Sequence, residues 1–248
     1  GNRAVDVDHL EVQRGVITAL IGPNGAGKTT FFNLITGFDQ PSSAKKAFGG
    51  PSADKAAKWS FNGKLLGNTA AASVAKSGMV RTFQLTKALS RLTVMQNMLL
   101  GAKDQRGESF LAAFVKPLWA AQEKANIAKA EDLLKRFKLY EKKEDLAGSL
   151  SGGQKKLLEM ARALMSDPKL VMLDEPMAGV NPALTQSLLE HIKGLKDNGT
   201  TVLFVEHDMH MVRHISDWVV VMAEGKIVAE LRGDYTMKDL ILRMEGVI

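Results

Sequence analysis

Three stretches of this chain carry residue types and spacings that can bind a phosphorylated ligand and act on it. The first is Gly22-Pro23-Asn24-Gly25-Ala26-Gly27-Lys28-Thr29-Thr30, which follows the apolar residues 16–21 and leads into Phe31-Phe32-Asn33-Leu34-Ile35. Strand, glycine-rich turn and helix is the setting that a G-x-x-x-x-G-K-[ST] phosphate loop requires. Its glycines let successive backbone N–H groups converge into an anion nest, and the helix dipole adds positive potential at the same place. Lys28 can reach β- and γ-phosphates, and the Thr29 hydroxyl can ligate Mg²⁺. The second stretch is Leu170-Val171-Met172-Leu173-Asp174-Glu175-Pro176, an apolar strand that ends in two carboxylates. Asp174 suits a contact to Mg²⁺ or its water shell, and Glu175 can polarise a water against the γ-phosphate as a general base. The third is Leu150-Ser151-Gly152-Gly153-Gln154, a helix start able to grip a phosphate through Ser151 and backbone N–H groups.

Singly, these would be a glycine-rich turn, an acidic turn before a proline and a capped helix start. The elements between them must position them. Residues 3–12 alternate apolar and polar as a half-exposed strand does, and Gln13-Arg14-Gly15 turns into the buried strand before the phosphate loop. Residues 38–58 are small, polar and rich in Gly and Pro, which predicts a surface loop. Trp59-Ser60-Phe61-Asn62-Gly63-Lys64 predicts an alternating strand with an Asn-Gly turn, and residues 79–84 a short strand ending in an exposed Gln84. Residues 94–102 read as a helix, and 117–138 as a longer amphipathic one with Ile127, Ala130, Leu134 and Phe137 along one face. Ser151 has the N-cap chemistry for a helix through Leu164. A helix over 182–196, a buried strand over 201–205 and a helix over 209–215 follow. A hairpin around Glu224-Gly225 and a last helix between 234 and 245 complete the chain, and there is no internal repeat.

At 248 residues and 45% hydrophobic composition, the chain fits one large α/β domain, or a core with a smaller subdomain. Cys is absent, which removes disulfides and thiolate metal sites and suits a reducing compartment. No apolar stretch approaches the roughly 18 residues of a membrane span, and the N-terminus lacks signal-peptide architecture. The net charge of +6 admits nucleic acid or an anionic membrane surface as partner. Lys and Arg are scattered, however, and a nucleotide-phosphate site itself favours basic residues, so no nucleic acid is expected.

With Leu150-Ser151-Gly152-Gly153-Gln154 standing before a helix and upstream of the acidic strand, the chain resembles the ATP-binding-cassette (ABC) transporter ATPases. That pentapeptide is the family's signature sequence. The resemblance implies a P-loop NTPase fold of α/β class, with a mixed, largely parallel RecA-like sheet core, a small antiparallel β subdomain and an α-helical subdomain. It implies one ATPase domain over residues 1–248, with 1–83 and 166–248 as catalytic core and about 84–165 as the helical signature part. Gln84, after Arg81-Thr82-Phe83, matches the glutamine that senses Mg²⁺ and the γ-phosphate and links them to the helical block. Met177-Ala178-Gly179-Val180-Asn181 occupies the place of the loop that crosses to the opposing subunit, with Asn181 where Asp is commoner. His207, after Val202-Leu203-Phe204-Val205-Glu206, matches the switch histidine that hydrogen-bonds the γ-phosphate. Arg81-Thr82-Phe83-Gln84, the segment from Glu175 to Pro182 and Glu206-His207-Asp208-Met209 together resemble the ATPases of high-affinity branched-chain amino acid importers, over about residues 4–232.

The implied machine is a two-site ATPase using ATP and Mg²⁺. In each site Gly22, Pro23, Asn24, Gly25, Ala26, Gly27, Lys28, Thr29, Thr30 and Gln84 hold the nucleotide. Lys28, Glu175 and His207 act on it, while Thr29, Gln84 and Asp174 serve the metal. Ser151, Gly152, Gly153 and Gln154 come from a second ABC ATPase subunit, identical or related. The helical block would dock on transmembrane permease subunits, making the chain peripheral at the cytoplasmic face of the cell membrane, with a solute-binding protein if it imports. Two alternatives keep the ATPase: a lipopolysaccharide-type export system, which shares a closely similar crossing loop, and a soluble ATPase acting on nucleic acid or the ribosome. Soluble relatives carry long coiled coils or tandem cassettes, and this sequence has one cassette and no sustained heptads. One departure concerns adenine. The family places a stacking aromatic upstream, whereas here none precedes Phe31 and Val5 is left to supply an apolar contact. The chain opens at Gly1 without Met, so an altered or missing natural N-terminus is expected.

Overall fold

The structure, a computed structural model, describes residues 4–41, 58–67, 69–82, 89–103 and 116–245. They fall into two compact units, 1–81 with 169–176 and 192–248, and 82–168 with 177–191.

The first unit is built on a six-stranded sheet in the order β4-β5-β6-β1-β7-β8. Strands β1 (Ile17–Ile21), β5 (Leu170–Asp174), β6 (Thr201–Val205) and β7 (Trp218–Ala223) run parallel and are buried throughout. A parallel strand covered on both faces needs apolar residues at consecutive positions, which is how these four read in sequence. The sheet ends in β4 (Met79–Thr82) on one side and, on the other, β8 (Lys226–Arg232), antiparallel to β7. Exposure alternates along β8, as an edge with one wet face requires. The β7–β8 turn puts Glu224 (φ 46°) and Gly225 (φ 79°) in the left-handed region, the type I′ geometry that matches strand twist. Asn62 (φ 51°) and Gly63 (φ 78°) do the same between β2 (Ser60–Phe61) and β3 (Lys64–Leu65).

Helix α1 (Lys28–Ile35) carries Phe32, fully buried, into a cluster with Leu20, Met172, Leu203, Val220 and Met222. The unit also holds α2 (Ala71–Lys76), α7 (Met209–Ile215) and α8 (Met237–Glu245). The alanines of α2 give almost no periodic signal and only Val74 is buried, which is why the sequence did not mark it.

The expected strand over residues 3–12 is not formed: no strand lies between residues 4 and 16. The alternation has another cause. Val5, Val7, Leu10 and Val12 pack against the sheet's apolar cluster, so an extended segment keeps an inner and an outer side without a ladder. Strand β4 is described as far as Thr82, and Gln84 lies outside the described residues, as do most of the glycine- and proline-rich stretch, 42–57, and residues 104–115.

In the second unit α3 (Val94–Leu99), α4 (Lys116–Arg136) and α5 (Gly152–Leu164) pack on one another. Ala130 and Leu134 of α4, and Phe137 just beyond it, are buried as the helical spacing predicts, but Ile127 is 37% exposed. Asn97, wholly buried, accepts from Leu89 N (2.9 Å) and donates to Leu89 O (3.1 Å) and Thr93 O (2.9 Å), pinning the chain that enters α3. No helix among the described residues is long and apolar enough to cross a membrane.

His191, on α6 (Pro182–Asp197), stacks on Phe137 with ring centroids 4.2 Å apart. Burial holds its imidazole below the ordinary 6.5, and the charges of Lys138 and Arg136 push the same way. The folded chain therefore resists a proton that the unfolded chain accepts. The neutral ring costs nothing above that ordinary value, and stability is lost as the pH falls below it. Thermal unfolding followed from pH 7.5 to 5 should show a falling midpoint, with the slope reduced in His191→Gln.

Candidate functional site

The register of the parallel strands sets the site. Leu20 of β1 and Asp174 of β5 both pair with Val205 of β6, and Ile21 pairs with Val221 of β7. The loops that begin at Gly22, Glu175 and Glu206 therefore leave one edge of the sheet together, at the carboxyl ends where α/β sheets bind ligands.

The phosphate loop needs its glycines for stated reasons. Gly22 has φ 151°, and a Cβ there would fall 2.0 Å from Met222 O. Gly25 and Gly27 have φ 81° and 100°, which side chains rarely adopt. Gly27 opens α1 without any side-chain cap, so the first amides of that helix are not taken up by a capping side chain. Lys28 is 6% exposed and folds back over the loop, Nζ donating to Gly22 O (2.8 Å) and Pro23 O (2.9 Å). Burial lowers its pKa from the usual lysine range, and the carboxylates of Glu175 and Asp174 oppose that shift.

Asp174 ends β5 with its side chain 4% exposed, and Oδ2 accepts a 2.6 Å hydrogen bond from Nη2 of Arg81, itself 6% exposed. Glu175 takes φ 47°, an uncommon state for a non-glycine residue, and its N–H donates to Val205 O at 3.0 Å. That kink turns its carboxylate towards β6's exit, where Oε1 lies 3.0 Å from Nε2 of His207. The backbone N–H of His207 donates to Glu206 Oε2. Asp208 caps α7 by accepting from the N–H groups of His210 (2.8 Å) and Met211 (3.2 Å), which fixes the turn after the histidine. A cation, two carboxylates and an imidazole thus stand at one sheet edge. The pair formed by Glu175 and His207 can accept a proton from water on one member and donate to an anion from the other.

The second unit holds Ser151–Gln154. Ser151 Oγ accepts from Gln154 N (3.3 Å) while Gln154 Oε1 accepts from Ser151 N (3.0 Å), a capping box that opens α5. As an acceptor in that bond, the Ser151 hydroxyl keeps its own hydrogen to donate. A Cβ on Gly152 would meet nothing within 4 Å, whereas one on Gly153 would lie 2.4 Å from Leu184 Cδ1. In the loop before α6, Asn181 Oδ1 accepts from Leu184 N (2.9 Å), so this residue is an N-cap. Lys156 Nζ donates to Ala178 O.

Of the residues expected to form the site, Lys28, Asp174, Glu175 and His207 are together, with Gly22–Thr30 as their floor. Ser151, Gly152, Gly153 and Gln154 belong to the other unit. The bond from Arg81 to Asp174 was not anticipated. Its signal was present, because a lone arginine in the short strand Met79-Val80-Arg81-Thr82 requires a buried counter-charge.

A sequence profile of the ABC transporter family matches residues 5–178. The chain belongs to the ABC transporter ATPase family. The probable branched-chain amino acid transport ATP-binding protein LivG of Methanocaldococcus jannaschii is 38% identical over 239 residues, covering 96% of this chain and 88% of that protein. The high-affinity branched-chain amino acid transport ATP-binding protein BraF of Pseudomonas aeruginosa is 36% identical, covering 93% and 86%. A crystal structure of the ADP conformation of an ATP-binding cassette of an ABC transporter superposes with TM-score 0.75 at 38% identity, over 95% of this chain and 88% of that one. As an ABC ATPase the chain binds nucleotide and hydrolyses ATP, and its sheet, small antiparallel sheet and helices are those of the ABC cassette fold.

Within the cassette the glycines of the phosphate loop differ in what they tolerate. Gly22→Ala should cost more than about 3 kcal/mol, since both backbone geometry and the Met222 carbonyl oppose it. Gly25→Ala, with open space around its Cβ, should cost about 1 kcal/mol. Thermal melts of the nucleotide-free variants compare the two directly.

Proposed function

We propose that the chain is the ATP-hydrolysing subunit that powers import of branched-chain amino acids through a partner permease. The observation that carries the ATPase chemistry is the convergence of Lys28, Asp174, Glu175 and His207 at the carboxyl ends of β1, β5 and β6. The solute class rests on relatives named as branched-chain amino acid transport ATP-binding proteins, which match over more than nine-tenths of this chain. No observation favours export, or work on nucleic acid or the ribosome.

The triphosphate would lie on the amides of Gly22–Thr30, with Lys28 turning from the carbonyls of Gly22 and Pro23 to the β- and γ-phosphates. Glu175 would orient the attacking water and take its proton, and His207 would hold the γ-phosphate through the ring that now meets Glu175. Thr29, exposed at the first turn of α1, and the Asp174 carboxylate are hard oxygen donors, and Asp174 is near enough for its charge to act on Lys28. That donor set fits Mg²⁺, with Gln84 as a further expected ligand; when bound, the metal would offset charge developing on the phosphates. Ser151, Gly152, Gly153 and Gln154 would act on the nucleotide of a second ATPase subunit, so closure of a dimer would complete each site. The permease would hold the chain as a peripheral subunit at the cytoplasmic membrane face, with a solute-binding protein as a further component of the importer.

Glu175→Gln should leave nucleotide binding within about twofold, lower ATP turnover by roughly 10²- to 10⁴-fold, the usual worth of a general base, and accumulate an ATP-bound dimer. Phosphate release and size-exclusion chromatography measure both. Turnover at the wild-type rate would remove Glu175 from that role.

A further inference from the structure

We propose that Arg81 is a positioning residue of the nucleotide site, holding the Asp174 carboxylate against the helix that follows the phosphate loop. The proposal rests on the reading of Asp174 as a ligand of the nucleotide's metal. One guanidinium serves two elements. Its Nη2 donates to Asp174 Oδ2 at the end of β5 (2.6 Å), and its Nη1 donates to Asn33 Oδ1 on α1 (2.5 Å). Its Cζ lies 5.5 Å from the ring centroid of Phe32, the residue next to Asn33. The Asn33 amide is itself oriented, because Nδ2 donates to Asp39 Oδ2 (2.8 Å), a group that can only accept when ionised. Asp39, Asn33, Arg81 and Asp174 thus form one chain of bonds from the end of α1 to the acidic end of β5.

The arrangement uses what is particular to arginine. Its donors form a rigid planar fork, so the distance from Asp174 to Asn33 is set by the guanidinium rather than by a flexible stem. A lysine would supply the charge but as a single point, with one partner or the other favoured. Both charged side chains are almost fully buried, so removing Arg81 outright would leave an uncompensated carboxylate and threaten the fold. Arg81→Lys keeps the charge and removes the fork. The bond to Oδ2 restrains the rotation of the carboxylate that the metal would meet.

The test is binding of a fluorescent N-methylanthraniloyl nucleotide to the full chain, first in EDTA and then with Mg²⁺ titrated in. In EDTA, Arg81→Lys should bind within about twofold of the unaltered chain, because the phosphate loop is untouched. With Mg²⁺ it should need about tenfold more metal for the same tightening, the worth of one charge-assisted hydrogen bond. Asn33→Ala should shift the metal requirement in the same direction by less. Arg81→Lys combined with Asp174→Asn should add nothing beyond Asp174→Asn alone, since the first acts through the second. Equal weakening with and without Mg²⁺ makes Arg81 a structural tie and overturns the proposal, as does an unchanged metal requirement. If Asp174→Asn itself leaves the Mg²⁺ response intact, the fault lies in the metal reading of Asp174, and Arg81 loses its role with it.

Discussion

The site depends on one constraint: the parallel strands β1, β5 and β6 must end nearly level. Strands that are apolar on both faces do not fix their own register by alternation, because a slip exchanges one apolar residue for another. Here the polar groups at the amino ends do it. Asp217 Oδ2 accepts from Ile17 N (2.8 Å), its Oδ1 accepts from Lys196 Nζ (2.5 Å), and Thr201 Oγ1 accepts from Gly15 N (3.0 Å). These bonds tie the starts of β1, β6 and β7, and since β1, β5 and β6 are each 5 residues long their carboxyl ends come out together. Levelling the ends of β1, β5 and β6 is what brings a lysine, two carboxylates and a histidine from three distant parts of the sequence to one edge.

Several features of that edge cost stability. Glu175 sits in a left-handed backbone conformation worth roughly 1–2 kcal/mol of strain, Lys28 is a buried cation, and Arg81 with Asp174 is a buried ion pair. None would be chosen to build a core. They persist because the sheet's central strands β1, β5, β6 and β7 are largely apolar and fully buried. Local departures from good folding chemistry at one edge, surrounded by consistency elsewhere, are what a preorganised polar site looks like.

Much of this was legible in the sequence, and the limits have physical causes. The phosphate loop, the acidic strand and the Ser151 cap are local, because each lies within a few consecutive residues, and the structure forms the strand and helix around Gly22–Lys28, the buried strand ending at Asp174 and the cap at Ser151. Residues 3–12 show how a local pattern misleads: alternation reports one buried side, and Val5, Val7, Leu10 and Val12 satisfy it without a partner strand. The Arg81–Asp174 and Glu175–His207 pairs join residues 93 and 32 positions apart. No spacing rule reaches that far, and only the level strand ends bring them together. The sequence could say that Arg81 needed a counter-charge, but not which one.

The two carbonyl partners of Lys28 bear on how such a site distinguishes an anion from water. Its ammonium already has two carbonyl partners, so a ligand must offer more than hydrogen-bond acceptors to move it. What carbonyl partners cannot supply is negative charge: burial lowers the Lys28 pKa, and the carboxylates of Asp174 and Glu175 oppose that shift. Asp174 is already shared with Arg81 and Glu175 with His207, so neither carboxylate is Lys28's alone. A phosphate arriving over the uncapped start of α1 would supply the missing negative charge to the lysine and accept from the helix amides in the same movement. The ammonium would then be better solvated by its ligand than by its own loop, which favours a polyanion over a neutral molecule of equal hydrogen-bonding capacity.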